Sequence, residues 1–157
     1  MTQNNRPADN LIHPVTTSKF DADELCQDAR TLLRTKNFLD SYQVAIRMLR
    51  LCREDARARA EQSEFCGLPA DHCRALGGAP EQWLAQLSEV RDFIESLPNR
   101  SAKLLLYYHY VRNLTVERAA EELDISRRAA FRLKKKALAY AAARLGTWQA
   151  ARRSSVS

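Results

Sequence analysis

Residues 104–138 read LLLYYHYVRNLTVERAAEELDISRRAAFRLKKKAL, and the way this stretch divides decides the fold. Pro98 ends whatever helix precedes it, and Asn99 can cap the next. A helix over Arg100–Arg112 then carries Leu104, Leu105, Tyr108 and Val111 as its apolar positions. Asn113-Leu114 is a short connection. Thr115 can cap a second helix, with Glu117 in its first turn and Leu123 near its end. Asp124-Ile125 makes a tight turn, and Ser126 can cap a third helix rich in Arg and Lys. A short helix, a turn of three to four residues and a basic second helix is the arrangement of a helix-turn-helix.

The last helix reads SRRAAFRLKKKALAYAAARLG from Ser126. On a 3.6-residue wheel Ala130, Leu133, Ala137 and Tyr140 share a face, which should pack inward. Arg127, Arg128, Phe131, Arg132 and Lys135 lie mostly away from it. The first turns of a recognition helix are what reach base edges, and the planar fork of arginine can bond guanine O6 and N7 together. Lys134, Lys135, Lys136 and Arg100 fit phosphate contacts better, because a lysine is a mobile point charge and Arg100 lies outside this helix. Phe131 can press on a thymine methyl or fill the helix packing. Packing is the preferred reading, since large aromatics are more often buried. The alternative for the whole helix is a solvated cationic face.

Working outward, the chain has four Gly and five Pro, and none of them falls between Val15 and Cys66, Glu81 and Leu97, or Asn99 and Leu145. Those windows are rich in good helix formers, and none shows sustained period-two alternation. The class is all-α: a helical hairpin followed by the helix-turn-helix. Residues 1–19 read as a disordered tail. A first helix is expected over Asp21–Thr35, with an apolar face of Leu25, Ala29, Leu32 and Leu33. A second should start at Asn37 as its cap and carry Phe38, Tyr42, Ala45, Ile46, Leu49, Cys52 and Ala56 in one stripe. The run REDARARAEQSE beyond Cys52 should be solvated. Gly67–Pro80 reads as a reversing loop. In the helix Glu81–Leu97, Trp83, Leu87, Val90, Ile94 and Leu97 repeat at spacings of 4, 3, 4 and 3. That seam suits an intramolecular hairpin, or a second copy of the chain. The expected divisions are therefore a tail at 1–19, a hairpin at 20–98, a helix-turn-helix at 99–146 and a C-terminal tail at 147–157.

The chain has 157 residues and a net charge of +6. Residues 1–98 carry 12 Lys/Arg and 15 Asp/Glu, a net −3, and residues 99–157 carry 13 and 4, a net +9, which sum to +6. A positive module on a mildly acidic support points to a polyanionic partner, nucleic acid before membrane. No apolar stretch approaches the ~18 residues of a membrane span. The first residues lack a secretory pattern, so a cytoplasmic location is expected and Cys26, Cys52, Cys66 and Cys73 read as reduced thiols. Cys66, His72 and Cys73 match no structural zinc spacing, and no metal or other cofactor is expected. Glu54-Asp55 and Glu121-Glu122 read as solvated acids. With no Gly-rich phosphate loop, GxSxG or HExxH, nothing suggests an enzyme.

The stretch 104–138 resembles the promoter-reading module, region four, of bacterial sigma factors. More narrowly, it resembles a family of small transcriptional regulators of phages and mobile elements, in which a helical hairpin precedes a sigma-like helix-turn-helix. Ser126, Arg127 and Arg128 match that family's Ser-Arg-Arg, Arg132-Leu133 its Arg-Leu and Ala137-Leu138 its Ala-Leu. NFLDSYQVAIRMLR at 37–50 is similar to the family's opening, and the likeness spans Asn37 to Leu145. The resemblance implies a DNA-binding regulator, in some relatives an activator of late or packaging genes. It also implies that Arg127, Arg128 and Arg132 face DNA and that Thr115 starts a phosphate-contacting helix. The sequence departs from the pattern at three positions. Asp124 stands where a turn glycine is usual, and Ala119 and Ala130 replace larger apolar residues. Tyr107, Tyr108 and Tyr140 are the expected fillers of that space.

The expected function is thus a sequence-specific transcriptional regulator of phage or prophage type that binds double-stranded DNA. Its hairpin would form a homodimer or meet RNA polymerase; nothing before residue 98 looks like a promoter-melting module, so the protein would act with the polymerase and not replace its specificity subunit. One rival is a packaging adaptor resembling a small terminase subunit. Another is a helical protein-interaction module whose basic helix meets an acidic protein surface.

Overall fold

The computed structural model describes residues 19–66 and 80–155, and among these every element is helical. The elements are α1 (Lys19–Cys66), α2 (Pro80–Glu95), α3 (Arg100–Leu106), a π-helical segment (Tyr107–Val111), α4 (Val116–Glu122) and α5 (Arg127–Ser155). No described helix is long and apolar enough to cross a membrane. Of the expected tail at 1–19, residues 1–18 lie outside the described residues and Lys19 begins α1; of the reversing loop expected at Gly67–Pro80, residues 67–79 lie outside them and Pro80 begins α2; the thiols of Cys26, Cys66 and Cys73 lie outside them as well.

α1 is one helix of 48 residues where the sequence suggested two. Asn37 is an exposed interior residue and caps nothing. Thr35, the expected end of the first helix, is fully buried, and its hydroxyl donates to the Thr31 carbonyl at 2.8 Å. A threonine that satisfies its own hydroxyl on the preceding turn does not break a helix, and no glycine or proline stands nearby to do so. Of the apolar face expected for the first part of α1, Ala29, Leu32 and Leu33 are exposed, Leu33 by 59%. The stripe beyond it does pack, with Leu39, Tyr42 and Ala45 in the core. From Arg53 onward α1 is largely solvated, with Arg57–Glu61 and Arg59–Asp55 pairs along its surface.

α2 packs on α1 as the hairpin reading expected, and Gln86 donates across the joint to the Ser41 hydroxyl at 2.9 Å. Val90, Ile94 and Leu97 of the 4-3 seam are buried, and so is Phe93, which the seam leaves out. Phe93 is covered because α2 is packed on two sides. Its ring meets Phe38 of α1 at 5.6 Å and Trp148 of α5 at 5.2 Å. Trp148 belongs to residues expected as a tail. α5 instead continues to Ser155, and Arg152 stacks on Trp148 and bonds Asp92 of α2 at 2.8 Å.

Asn99 caps α3, its side chain accepting from the Ala102 N–H at 3.0 Å. The helix expected to reach Arg112 as a regular α-helix widens at Tyr107 into the π segment, where the Arg112 N–H bonds the Tyr107 carbonyl. The extra residue in that turn rotates the inward face. Leu105 and Leu106 are buried ahead of the segment and Tyr110 within it, while Tyr108 and Val111 are only partly covered.

Candidate nucleic-acid interface

Two caps and one strained residue set the relation of α4 to α5. Thr115 Oγ1 accepts from the Arg118 N–H at 3.3 Å, and Ser126 Oγ accepts from the Ala129 N–H at 3.2 Å. Between the helices the chain reverses over residues 123–126, closed by bonds from the Asp124 N–H to the Glu121 carbonyl and from Ile125 to Ala120. Asp124 has φ of 52°, the left-handed conformation for which glycine is usual. Aspartate tolerates it better than most residues, at a cost of about 1–2 kcal/mol.

The two helices touch through small side chains. Val116, Ala120 and Ala130 form a minor core with Ile125, and Ala119 is fully buried. Tyr107 and Tyr140, expected to fill the space left by the alanines, pack on the main core of α1, α2 and α5 instead. The alanines let the helices approach closely, so the joint holds little apolar volume.

Behind this joint, Ala130, Ala137, Ala141 and Leu145 bury the inner face of α5, and Leu133 and Tyr140 are partly covered. The basic residues divide into two neighbouring stripes, along a different line from the expected division into base-reading arginines and phosphate-contacting lysines. Arg128, Arg132 and Lys135 recur at i, i+4 and i+7, are exposed, and make no ion pair among the described residues. Lys136 and Arg100 are exposed as well.

The second stripe, Arg127, Phe131 and Lys134, turns toward α4 and α1. Arg127 pairs with Glu117 of α4 at 3.0 Å, and its guanidinium lies 5.8 Å from the Phe131 ring centre. Glu117 is held below the usual carboxylate range by its own backbone N–H, by Arg127 and by the Thr115 hydroxyl. Phe131 is 46% exposed and belongs to neither core cluster, so the packing reading preferred for it fails; the Arg127 guanidinium lies over its ring.

Lys134 departs from the expected phosphate contacts. It is half-buried, and its ammonium donates to His109 Nε2 of the π segment at 2.9 Å. His109 Nδ1 lies 2.8 Å from the Leu114 carbonyl. A carbonyl only accepts and an ammonium only donates, so the imidazole is neutral with its proton on Nδ1. Burial lowers the pKa of both groups; the Leu114 bond opposes this at His109, and Lys36 lowers Lys134 further. No spacing rule connects His109 to Lys134, because the π segment brings them together. Glu117 reads in sequence as a helix-dipole acid, and only the turn geometry makes it the partner of Arg127.

Compared with known proteins, the chain matches no family model, no curated sequence and no solved structure.

Proposed function

We propose that α4, the turn at 123–126 and the first half of α5 act as a helix-turn-helix of the sigma region-four kind, in a sequence-specific transcriptional regulator of double-stranded DNA. The observation that carries this reading is the exposed stripe Arg128, Arg132 and Lys135 at the capped start of a helix whose back is buried. Cations left unpaired among the described residues are available to a polyanion, and arginine near the start of such a helix suits guanine. Arg127 pairs with Glu117 and lies over Phe131 while its guanidinium stays largely exposed, so it remains within reach of DNA. Thr115 and Ser126 leave two helix starts exposed, where phosphate contacts are usual. The resemblance of residues 104–138 to regulators of phages and mobile elements supports the same reading, with RNA polymerase as the expected second partner.

The test is a binding selection from random duplex DNA at near-physiological salt, with Arg128→Ala alongside. An enriched motif is expected, and the variant should lose about 1–3 kcal/mol on it and relax sequence choice at one position. Wild-type behaviour of Arg128→Ala would remove that residue from base reading. Absence of any motif, with binding that vanishes on adding salt, would leave charge attraction alone and favour the packaging adaptor, for which a mass measurement should then show a ring of many copies.

A further inference from the structure

The α1 face that meets the rest of the chain can be followed residue by residue. Lys36 and Asp40 act on the Lys134–His109 pair, so they lie toward it. One turn on, Gln43 donates from Nε2 to the Tyr110 carbonyl at 2.7 Å and to the Val111 carbonyl at 3.2 Å. These bonds fasten α1 to the end of the π segment, just before the connection that leads to Thr115 and the start of α4. On a 100° wheel, Arg47 and Arg50 stand within about 40° of Gln43. They therefore continue the same face, about 6 and 10 Å farther along the axis at 1.5 Å per residue.

Both arginines are exposed, and neither makes an ion pair among the described residues. Between Ser41 and Arg53 the sequence has three arginines and no acid, although residues 1–98 as a whole are net negative. Arg112, exposed at the end of the π segment one residue after the Gln43 anchor, lies over the Tyr108 ring at 5.7 Å from its centre and adds a further exposed charge there. Where Arg57 and Arg59 further along α1 are neutralised by Glu61 and Asp55, Arg47 and Arg50 are not. A pair of exposed arginines without ion-pair partners among the described residues, one to two turns beyond the anchor that holds α1 to the connection ahead of α4, suits phosphate oxygens, which guanidinium binds bidentately.

We propose that Arg47 and Arg50 of α1 form a phosphate-binding edge that extends the DNA contact of α5 onto the hairpin. The inference rests on the reading of α4 and α5 as a DNA-binding unit and adds a second element to the footprint. Such an edge contributes affinity and orientation but no base choice.

The test is a salt titration of the full chain on a random-sequence DNA duplex, comparing wild type, Arg47→Ala/Arg50→Ala and the control Arg91→Ala on exposed α2. The double variant should lower the log–log salt slope by about 2, near 0.9 for each lost phosphate contact. It should leave any selected motif unchanged. The conservative Arg47→Lys/Arg50→Lys should keep most of the slope, and circular dichroism should show unaltered helix content. A wild-type protein that binds with a steep slope, and a double variant that shares it, overturn this edge while leaving the α5 reading intact. A wild-type protein that does not bind duplex DNA at all overturns both.

Discussion

Tyr110 shows how much one misfit polar atom decides. Its ring is buried against His109 at 4.7 Å, and its hydroxyl has no hydrogen-bond partner among the described residues. Burial, together with the nearby Asp40 carboxylate, pushes the phenol up to about 12, so it stays protonated throughout the physiological range. A buried hydroxyl without a partner costs about 1–3 kcal/mol of lost hydration. Removing only that oxygen leaves the ring packing untouched. Tyr110→Phe should therefore raise stability by about 1 kcal/mol, read as a higher denaturant midpoint with unchanged slope. At the same scale, the left-handed conformation of Asp124 was legible only through the resemblance, in which a turn glycine is usual at that position. The exposure of Phe131 was not, since burial statistics for phenylalanine say nothing of which helix face meets the core.

Elements were legible where the pattern was local and failed where a neighbour intervened. The caps at Asn99, Thr115 and Ser126 stand where the sequence places them, because a capping bond joins residues three apart. The division of α1 into two helices failed because Thr35 and Asn37 are permissive rather than breaking in a long helix. The π segment was invisible, yet it carries His109 to Lys134 and so fastens α5 to the connection ahead of α4. This link has a pH consequence. Burial disfavours the charged ring, and protonating His109 would also place an N–H against the Lys134 ammonium, so the folded state favours the neutral form and its pKa lies below 6.5. The unfolded chain then binds more protons between that folded value and 6.5, and stability falls as pH drops through this window. Lys36 and Lys134 oppose the proton, while Asp40 and the Leu114 carbonyl favour it. Thermal midpoints taken from pH 7.5 down to pH 5 should decline, and His109→Gln should flatten the decline. A wild-type midpoint that rises on acidification would contradict the assigned tautomer.

At the scale of the whole molecule, the all-helical class and the charge contrast between halves were legible from composition, while the way the halves join was not. The sequence divides near Pro98, but the main core ignores that boundary: α1 and α2 contribute Leu39, Phe93 and Ile94, and α5 adds Ala137, Ala141 and Leu145. The joint between α4 and α5 is lined by alanines and one valine, with Ile125 at its edge. So small an apolar volume cannot by itself fix the direction of the basic helix, which is also held by α1 and α3 along the middle of α5 and by α2 at its far end. There Trp148 meets Phe38 and Phe93, and Arg152 ties the last turns to Asp92. Trp148→Ala should then destabilise the chain by about 2–4 kcal/mol, somewhat less than for a fully buried tryptophan because Trp148 is partly exposed. Trp148→Phe should recover part of the loss. If the end of α5 also orients its start, the folded Trp148→Ala protein should bind duplex DNA more weakly at temperatures well below its melting midpoint, although the substitution lies about 24 Å along the helix from Arg132. Unchanged binding with a lowered midpoint would instead show that the caps and the Glu117–Arg127 and His109–Lys134 contacts suffice to aim the basic stripe.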